Sequence, residues 1–173
     1  MQARRPFGAD DVAHVRVQGS RATLDHVGWP YVPQGMTAAQ LNLPYCIATL
    51  LLDGDVFVDQ FTEAKLADPD PMRIAGKVAV AEDPAITARG AGYRHMVHIT
   101  VTLHDGTTLK ETVEAPRGSE QSFATAEDVI AKFTKLASRR IPPAQVDAIT
   151  DQVMHAENLE SAASLAHLLA AAV

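Results

Sequence analysis

Apolar residues recur at two different periods along this chain. Between residues 11 and 18 the run DVAHVRVQ sets Ala13, Val15 and Val17 against Val12, His14 and Arg16, a period of two that predicts a half-buried strand. The same period returns in KVAVAE at 77–82 and in HMVHITVTL at 95–103. In LHDGTTLKETVEA the pair Asp105-Gly106 separates two alternating runs, which predicts an antiparallel hairpin. Val97, Ile99, Val101 and Leu103 then share one face, with Leu109 and Val113 directed at the same core.

Elsewhere the spacing is helical. A Gly- and Pro-rich loop, GWPYVPQGM, covers 28–36, and Thr37 with Gln40 has the form of a capping box. Pro44 would break a helix running on from there, so the reading is a short turn at 37–40 and a helix at 43–53 with Pro44 in its first turn. Cys46, Ile47, Leu50 and Leu51 make the apolar face of that helix, and Gly54 closes it. A short helix follows at 58–66, and DPDPM at 68–72 opens another. In the last third, Thr125 with Asp128 caps a helix whose stripe is Val129, Phe133 and Leu136. Pro142-Pro143 starts a second helix, with Val146, Ile149 and Val153 inward. Ser161 starts a third, carrying Leu165, Leu168 and Leu169. Strands flanked by runs of helices, without regular alternation, predict an α+β fold: a small mixed or antiparallel sheet with an Asp-Gly hairpin, packed by helices and extended by C-terminal helices.

Composition narrows the class. At 173 residues, 47% hydrophobic and 21% charged, the chain is long enough for one domain with its own core. A formal net charge of -6, no basic run longer than two residues and only 5% aromatics argue against nucleic acid as a partner. No apolar run reaches membrane-spanning length, and no hydrophobic segment follows the N-terminal arginines, so neither a membrane span nor a secretory leader is expected. One cysteine makes no intrachain disulfide and no thiolate cluster, so a cytoplasmic setting is expected.

No phosphate-binding glycine loop, nucleophile elbow, HExxH or CxxC is present, and neither a metal nor a cofactor is expected. His95 and His98 lie three apart on an expected strand and point to opposite faces, so they cannot share a metal. His14, His26, His155 and His167 read as solvent-facing or interhelical polar residues. Cys46 reads as a buried structural thiol rather than a nucleophile. Tyr45 admits two readings: a packing residue on the rim of the apolar stripe, or a hydroxyl presented to a cleft as donor or acid. Arg117, in the loop EAPRGSEQS before a capped helix, is placed either to meet a carboxylate or simply to lie in solvent or an ion pair.

The order of these signals is more specific than any one of them. Leu43-Pro44-Tyr45-Cys46, Asp53-Gly54, Phe61-Thr62, Asp105-Gly106 and Pro116-Arg117-Gly118 occur in the order and spacing that resemble the C-terminal half of the MmgE/PrpD family. That family includes 2-methylcitrate dehydratases, cis-aconitate decarboxylases and iminodisuccinate epimerases. The resemblance spans about residues 10–170, with Leu41 and Asn42 standing where the family usually has Phe and Ser. It implies one domain over 1–173, with a lid core at about 10–138 and C-terminal helices at about 142–172. It implies further that the family's N-terminal helical domain, which carries its catalytic histidine, aspartate and lysine, is not in this chain.

What the resemblance implies for function is a lid or substrate-binding domain of a cofactor-independent lyase or isomerase, inactive without a helical partner. The family's tyrosine in the Leu-Pro-Tyr motif lines the active-site cleft, which implies an accessible Tyr45 as catalytic and substrate-binding residue, with Arg117 as a second substrate contact. The implied partners are a small di- or tricarboxylate and a separate helical-domain subunit. A homo-oligomer is also expected, because a cleft-facing surface without its helical partner would be an exposed apolar patch that pairing through the sheet or the terminal helices covers. Two other readings stand beside it. One is a stand-alone, non-catalytic binding or dimerisation module. The other is a small enzyme in its own right, with His26, Tyr45, His98 and Arg117 as first suspects.

Overall fold

The computed structural model describes residues 1–170. Contacts divide the chain into two compact units, Met1–Pro116 and Arg117–Val173. Residues 171 and 172, the end of the expected C-terminal helices, lie outside the described residues.

The first unit is built on a four-stranded mixed sheet of β1 (Val12–Gly19), β2 (Val78–Glu82), β3 (Val97–Leu103) and β4 (Thr108–Val113). The strand order is β2-β1-β3-β4, with β1 parallel to β2 and every other pair antiparallel. The α+β class and the Asp-Gly hairpin are as the sequence predicts. At that turn Gly106 takes φ +83°, which glycine adopts without strain, and the Asp105 carboxylate accepts the Thr107 N–H at 2.9 Å.

Period-two reading of β1 needs one correction. The register between β1 and β3 slips between Val12 and His14, a bulge that moves Val12 onto the face of Val15 and Val17. These three valines, with Val101 and Leu103, form the buried sheet face.

That face is covered by α3 (Leu43–Asp53), whose Leu43, Ile47 and Leu51 recur every four residues and pack on it. The opposite side of α3 is also buried, through Ala48 against Ile74 and Ala75 of α5 (Pro69–Ala75). A helix enclosed on two sides has no single apolar stripe. Leu50, expected inward, is consequently 42% exposed, while Tyr45 is 0% exposed.

The remaining helices of the first unit are short. They are α1 (Arg21–Val27), α2 (Met36–Gln40), α4 (Glu63–Ala67) and α6 (Pro84–Ala88), with 3₁₀ turns between them. The expected helix at 58–66 is split, because Thr62 ends the 3₁₀ turn Val58–Phe61 and caps α4 by accepting the Lys65 N–H at 3.3 Å. Gly35, not Thr37, precedes α2, so the expected capping box there is not formed.

In the second unit, Thr125 and Asp128 form the expected capping box on α7 (Ala126–Ala137), with reciprocal bonds of 3.2 and 3.1 Å. α8 (Pro143–Met154) buries Val146 and Ile149, and Gln145 donates from its side chain to the Leu168 carbonyl of α9 (Ala162–Ala170). Val153, expected inward, is exposed, as are Val129 and Leu136 of the α7 stripe. Among the described residues the helices of this unit leave part of their apolar faces uncovered. Among the described residues no helix is long and apolar enough to cross a membrane.

Candidate active-site elements

The Leu-Pro-Tyr-Cys segment begins α3, and its local structure follows from Asn42. The Asn42 side chain accepts the Tyr45 N–H at 2.9 Å as the helix N-cap and donates to the Trp29 carbonyl at 2.7 Å. Asparagine is among the residues best suited to an N-cap, as serine also is. Pro44 lies in the first turn, where the N–H it lacks would have had no helical partner.

Tyr45 then points inward. Its hydroxyl donates to the Gln60 carbonyl at 2.7 Å, and its ring lies 4.6 Å from that of Tyr31 and 5.9 Å from that of Phe61. The accessible hydroxyl expected from the sequence is corrected: Tyr45 is enclosed in the core. Burial, reinforced by the neighbouring Tyr31, Cys46 and acidic groups, pushes its pKa up to about 12.

Gln60 is the hub of this corner. Its side chain accepts the Phe57 N–H at 3.0 Å and donates to Asp53 at 3.1 Å, while Lys65 pairs with Asp53 at 2.8 Å. The Lys65 hydrogen bond holds the Asp53 carboxyl below its ordinary range. The motif pair Asp53-Gly54 is therefore structural, with Gly54 at φ +73° ending the helix and Asp53 tying it to the next turn. Cys46 is half-buried, its thiol directed at the Ala39 carbonyl at 3.8 Å, and burial pushes its pKa up, the reverse of what a nucleophilic thiolate needs.

A different set of residues in the first unit frames a cavity of about 290 Å³. α1 contributes His26, the chain entering β3 contributes Arg94 and His95, and Leu43, Val97 and Val113 supply apolar walls. The frame is held by one carbonyl. Ser20 and Thr23 both donate their hydroxyls to the Arg94 oxygen, at 2.6 and 2.8 Å, while Ser20 caps α1 by accepting the Thr23 N–H at 3.1 Å. The start of α1 and the approach to β3 are thereby locked together, and His26, one turn along α1, lines the same cavity as Arg94 and His95. None of these three side chains has an ion pair or hydrogen bond among the described residues, and none of the described lining residues is acidic.

Sequence reading missed Arg94 as a candidate and paired His95 with His98 on a strand. β3 begins at Val97, so His95 precedes it, while His98 bonds Thr112 across β3 and β4 at 2.8 Å. The available signal was the Ser20 cap, which announces α1, and the Arg94-His95 pair at the foot of an alternating run.

Arg117 belongs to the second unit. Its guanidinium is 75% exposed and forks onto the Asp128 carboxylate, one arm at 3.0 Å. The pair holds the Asp128 carboxyl below its ordinary range. His155 bonds within its own helix turn to Asp151 at 3.1 Å. Among the described residues no group of three or more His, Cys, Asp or Glu is placed to hold a metal ion.

Comparison with known proteins gives this arrangement its context. The chain is 28% identical over 167 residues to a cis-aconitate decarboxylase of Aspergillus terreus, covering 92% of this chain and 33% of that protein. It is 32% identical over 124 residues to a 2-methylcitrate dehydratase of Cupriavidus necator, covering 69% of this chain and 26% of that protein. It is 26% identical over 147 residues to the cis-aconitate decarboxylase of Homo sapiens, covering 84% of this chain and 30% of that protein. The chain therefore spans about a third of the length of these curated relatives. Residues 1–156 match the MmgE/PrpD C-terminal domain, and the chain belongs to that family.

Proposed function

We propose that this chain is the lid-type, substrate-facing part of a cofactor-independent lyase or isomerase for small di- or tricarboxylates, and that it turns over substrate only with a helical partner. The observation that carries this reading is the match of residues 1–156 to the C-terminal domain of a family whose relatives here are named cis-aconitate decarboxylase and 2-methylcitrate dehydratase. It is supported by what the chain holds. Among the described residues the accessible charged groups of the candidate site are cationic, and the one motif tyrosine is enclosed.

In the assembled enzyme a base on the helical part removes a proton alpha to a carboxylate. In a dehydration the β-hydroxyl then takes up a proton and leaves as water, and in an epimerisation the proton returns to the other face. In a decarboxylation carbon dioxide leaves instead, and the carbanion it leaves behind takes up a proton. Such a step builds negative charge on a carboxylate, and this chain's role is to neutralise it. Arg117 meets a substrate carboxylate by exchanging it for Asp128, a trade between like groups that costs little at an exposed site. Tyr45 acts through the corner it holds, as a positioning residue. The single cysteine fits a cytoplasmic setting.

The test is turnover of 2-methylcitrate, citrate and cis-aconitate by the purified chain, alone and mixed with a helical domain from a relative. Turnover only in the mixture is expected. Turnover by the chain alone would place the whole reaction within these residues and overturn the division of labour.

One observation favours a second reading, a non-catalytic module that associates with copies of itself. The second unit leaves Phe123 80% exposed, together with Val129, Leu136 and Val153, and exposed apolar residues of this size mark an interface where they are contiguous. Sedimentation of the chain over a concentration series separates the two readings. A tight dimer with no turnover in any mixture supports the module.

A further inference from the structure

We infer that the cavity framed by His26, Arg94 and His95 is a binding site for a small polycarboxylate, and that it binds this ligand in the chain by itself. The inference deepens the functional reading above and rests on it for the ligand class. The geometry of the site does not depend on it.

Three features of the cavity point to such a ligand. The first is charge. One arginine and two histidines line the cavity, and among the described residues no acidic residue lines it. The acidic residue next to His26, Asp25, is engaged elsewhere, by Arg21 at 2.8 Å. Basic groups left without partners beside an apolar wall are met most favourably by an anion, because each gains a charge-assisted hydrogen bond and little protein–protein bonding is lost.

The second feature is shape. A volume of about 290 Å³ lies at the lower end of the roughly 300–1,000 Å³ of small-ligand pockets. Leu43, Val97 and Val113 offer apolar walls to a short carbon skeleton. The donors approach from two elements, His26 from α1 and Arg94 with His95 from the lead into β3. A ligand carrying separated carboxylates engages both at once, whereas a monocarboxylate reaches one.

The third is rigidity. The two hydroxyls on the Arg94 carbonyl fix the spacing of those elements before any ligand arrives, so little ordering is needed on binding. A metal ion is a poor occupant of the same place, since the guanidinium repels a cation and the rim lacks a third ligand side chain.

The experiment is a titration of the full chain with tricarballylate, an unreactive tricarboxylate, followed by isothermal calorimetry and by the imidazole resonances of His26 and His95. Propionate and inorganic phosphate serve as comparison ligands. Saturable binding of tricarballylate is expected, with shifts at both imidazoles, at least about tenfold tighter than propionate or phosphate, and weakening with added salt. Arg94→Gln is expected to lower the affinity at least about tenfold and His26→Gln or His95→Gln several-fold. The folded state should be unchanged by circular dichroism, because all three residues are exposed and, among the described residues, their side chains are unpaired.

Absence of saturable binding, or binding that none of the three variants changes, overturns the site. Phosphate binding as tightly as tricarballylate also overturns it as a polycarboxylate site and leaves a general anion hole. The functional reading fails separately. If tricarballylate binds as described but no mixture with a helical domain turns over substrate, the site stands and the lyase or isomerase assignment falls. If a mixture turns over and Arg94→Gln leaves kcat and KM unchanged, the assignment stands and the site falls.

Discussion

The Tyr45 hydroxyl donates to the main-chain carbonyl of Gln60 at 2.7 Å, across fifteen residues of sequence and inside the core. Both residues are buried, and the Gln60 side chain is committed separately to Phe57 and Asp53. One hydrogen bond therefore joins the start of α3 to the 3₁₀ turn that follows its end. The motif residues Tyr45, Asp53, Gly54 and Phe61 all belong to this corner.

Removing the hydroxyl leaves a buried carbonyl without its partner. Tyr45→Phe is accordingly expected to destabilise the chain by about 1–3 kcal/mol in urea unfolding. Leu50→Ala, at a half-exposed position, is expected to cost under about 1 kcal/mol, and Ile74→Ala, fully buried behind α3, about 2–5 kcal/mol. Equal costs for Tyr45→Phe and Leu50→Ala would contradict the orientation of α3.

Asn42 carries two jobs, capping α3 and holding the Trp29 carbonyl. Asn42→Ala is expected to cost about 1–2 kcal/mol, the upper part of the range for a lost N-cap, because the Trp29 partner goes too. Asn42→Ser is expected to recover the cap and so most of the loss, leaving only the deficit at Trp29. A serine variant as unstable as the alanine one would show that the Trp29 contact, not the cap, dominates.

The raised Tyr45 pKa predicts how the fold responds to alkali. Its folded value is about 12, against an ordinary 10.0, so between those limits the unfolded chain ionises while the folded chain does not. The stability this group contributes is complete below about pH 10 and is lost as pH rises through 12. Burial raises Tyr31 as well, and the Lys65 pKa is raised by Asp53, so both lose stability in the same direction. Unfolding free energies measured from pH 8 to 11 are expected to fall, and to fall less steeply in Tyr45→Phe. Identical slopes in the two proteins would mean that Tyr45 titrates normally.

The sheet was legible in the sequence because period two survives in Val15-Val17 and in Val97 to Leu103, and because Asp105-Gly106 permits the turn. The caps at Thr125 and Gly54 were legible for a similar reason: each depends on residues three or four apart. The orientation of α3 was not legible. Its run Ile47-Ala48-Thr49-Leu50-Leu51-Leu52 is apolar almost throughout, and only the placement of α5 decides that Ala48 is covered and Leu50 is not. The cavity was less legible still. His26 and Arg94 come together because two hydroxyls near residue 20 find one carbonyl more than seventy residues away, a contact that no local pattern encodes.

Arg117 separates a structural from a substrate-binding role most simply. Its ion pair with Asp128 is exposed on the arginine side, and such pairs contribute at most about 1 kcal/mol. Arg117→Ala is therefore expected to leave the unfolding of the second unit within about 1 kcal/mol of the parent, whereas Thr125→Ala, which removes the α7 cap, costs about 1 kcal/mol or more. In a mixture that turns over substrate, Arg117→Ala is expected to lower kcat/KM by about 10- to 100-fold, the equivalent of one charge-assisted hydrogen bond. Arg117→Lys is expected to recover only part of it, because an ammonium cannot fork onto a carboxylate. Asp128→Asn makes the converse test: with its competitor neutral, Arg117 is freer to meet substrate, and KM is expected to fall. Unchanged kinetics in Arg117→Ala would reduce the residue to its bond with Asp128 and leave the neutralising role to the basic rim of the first unit.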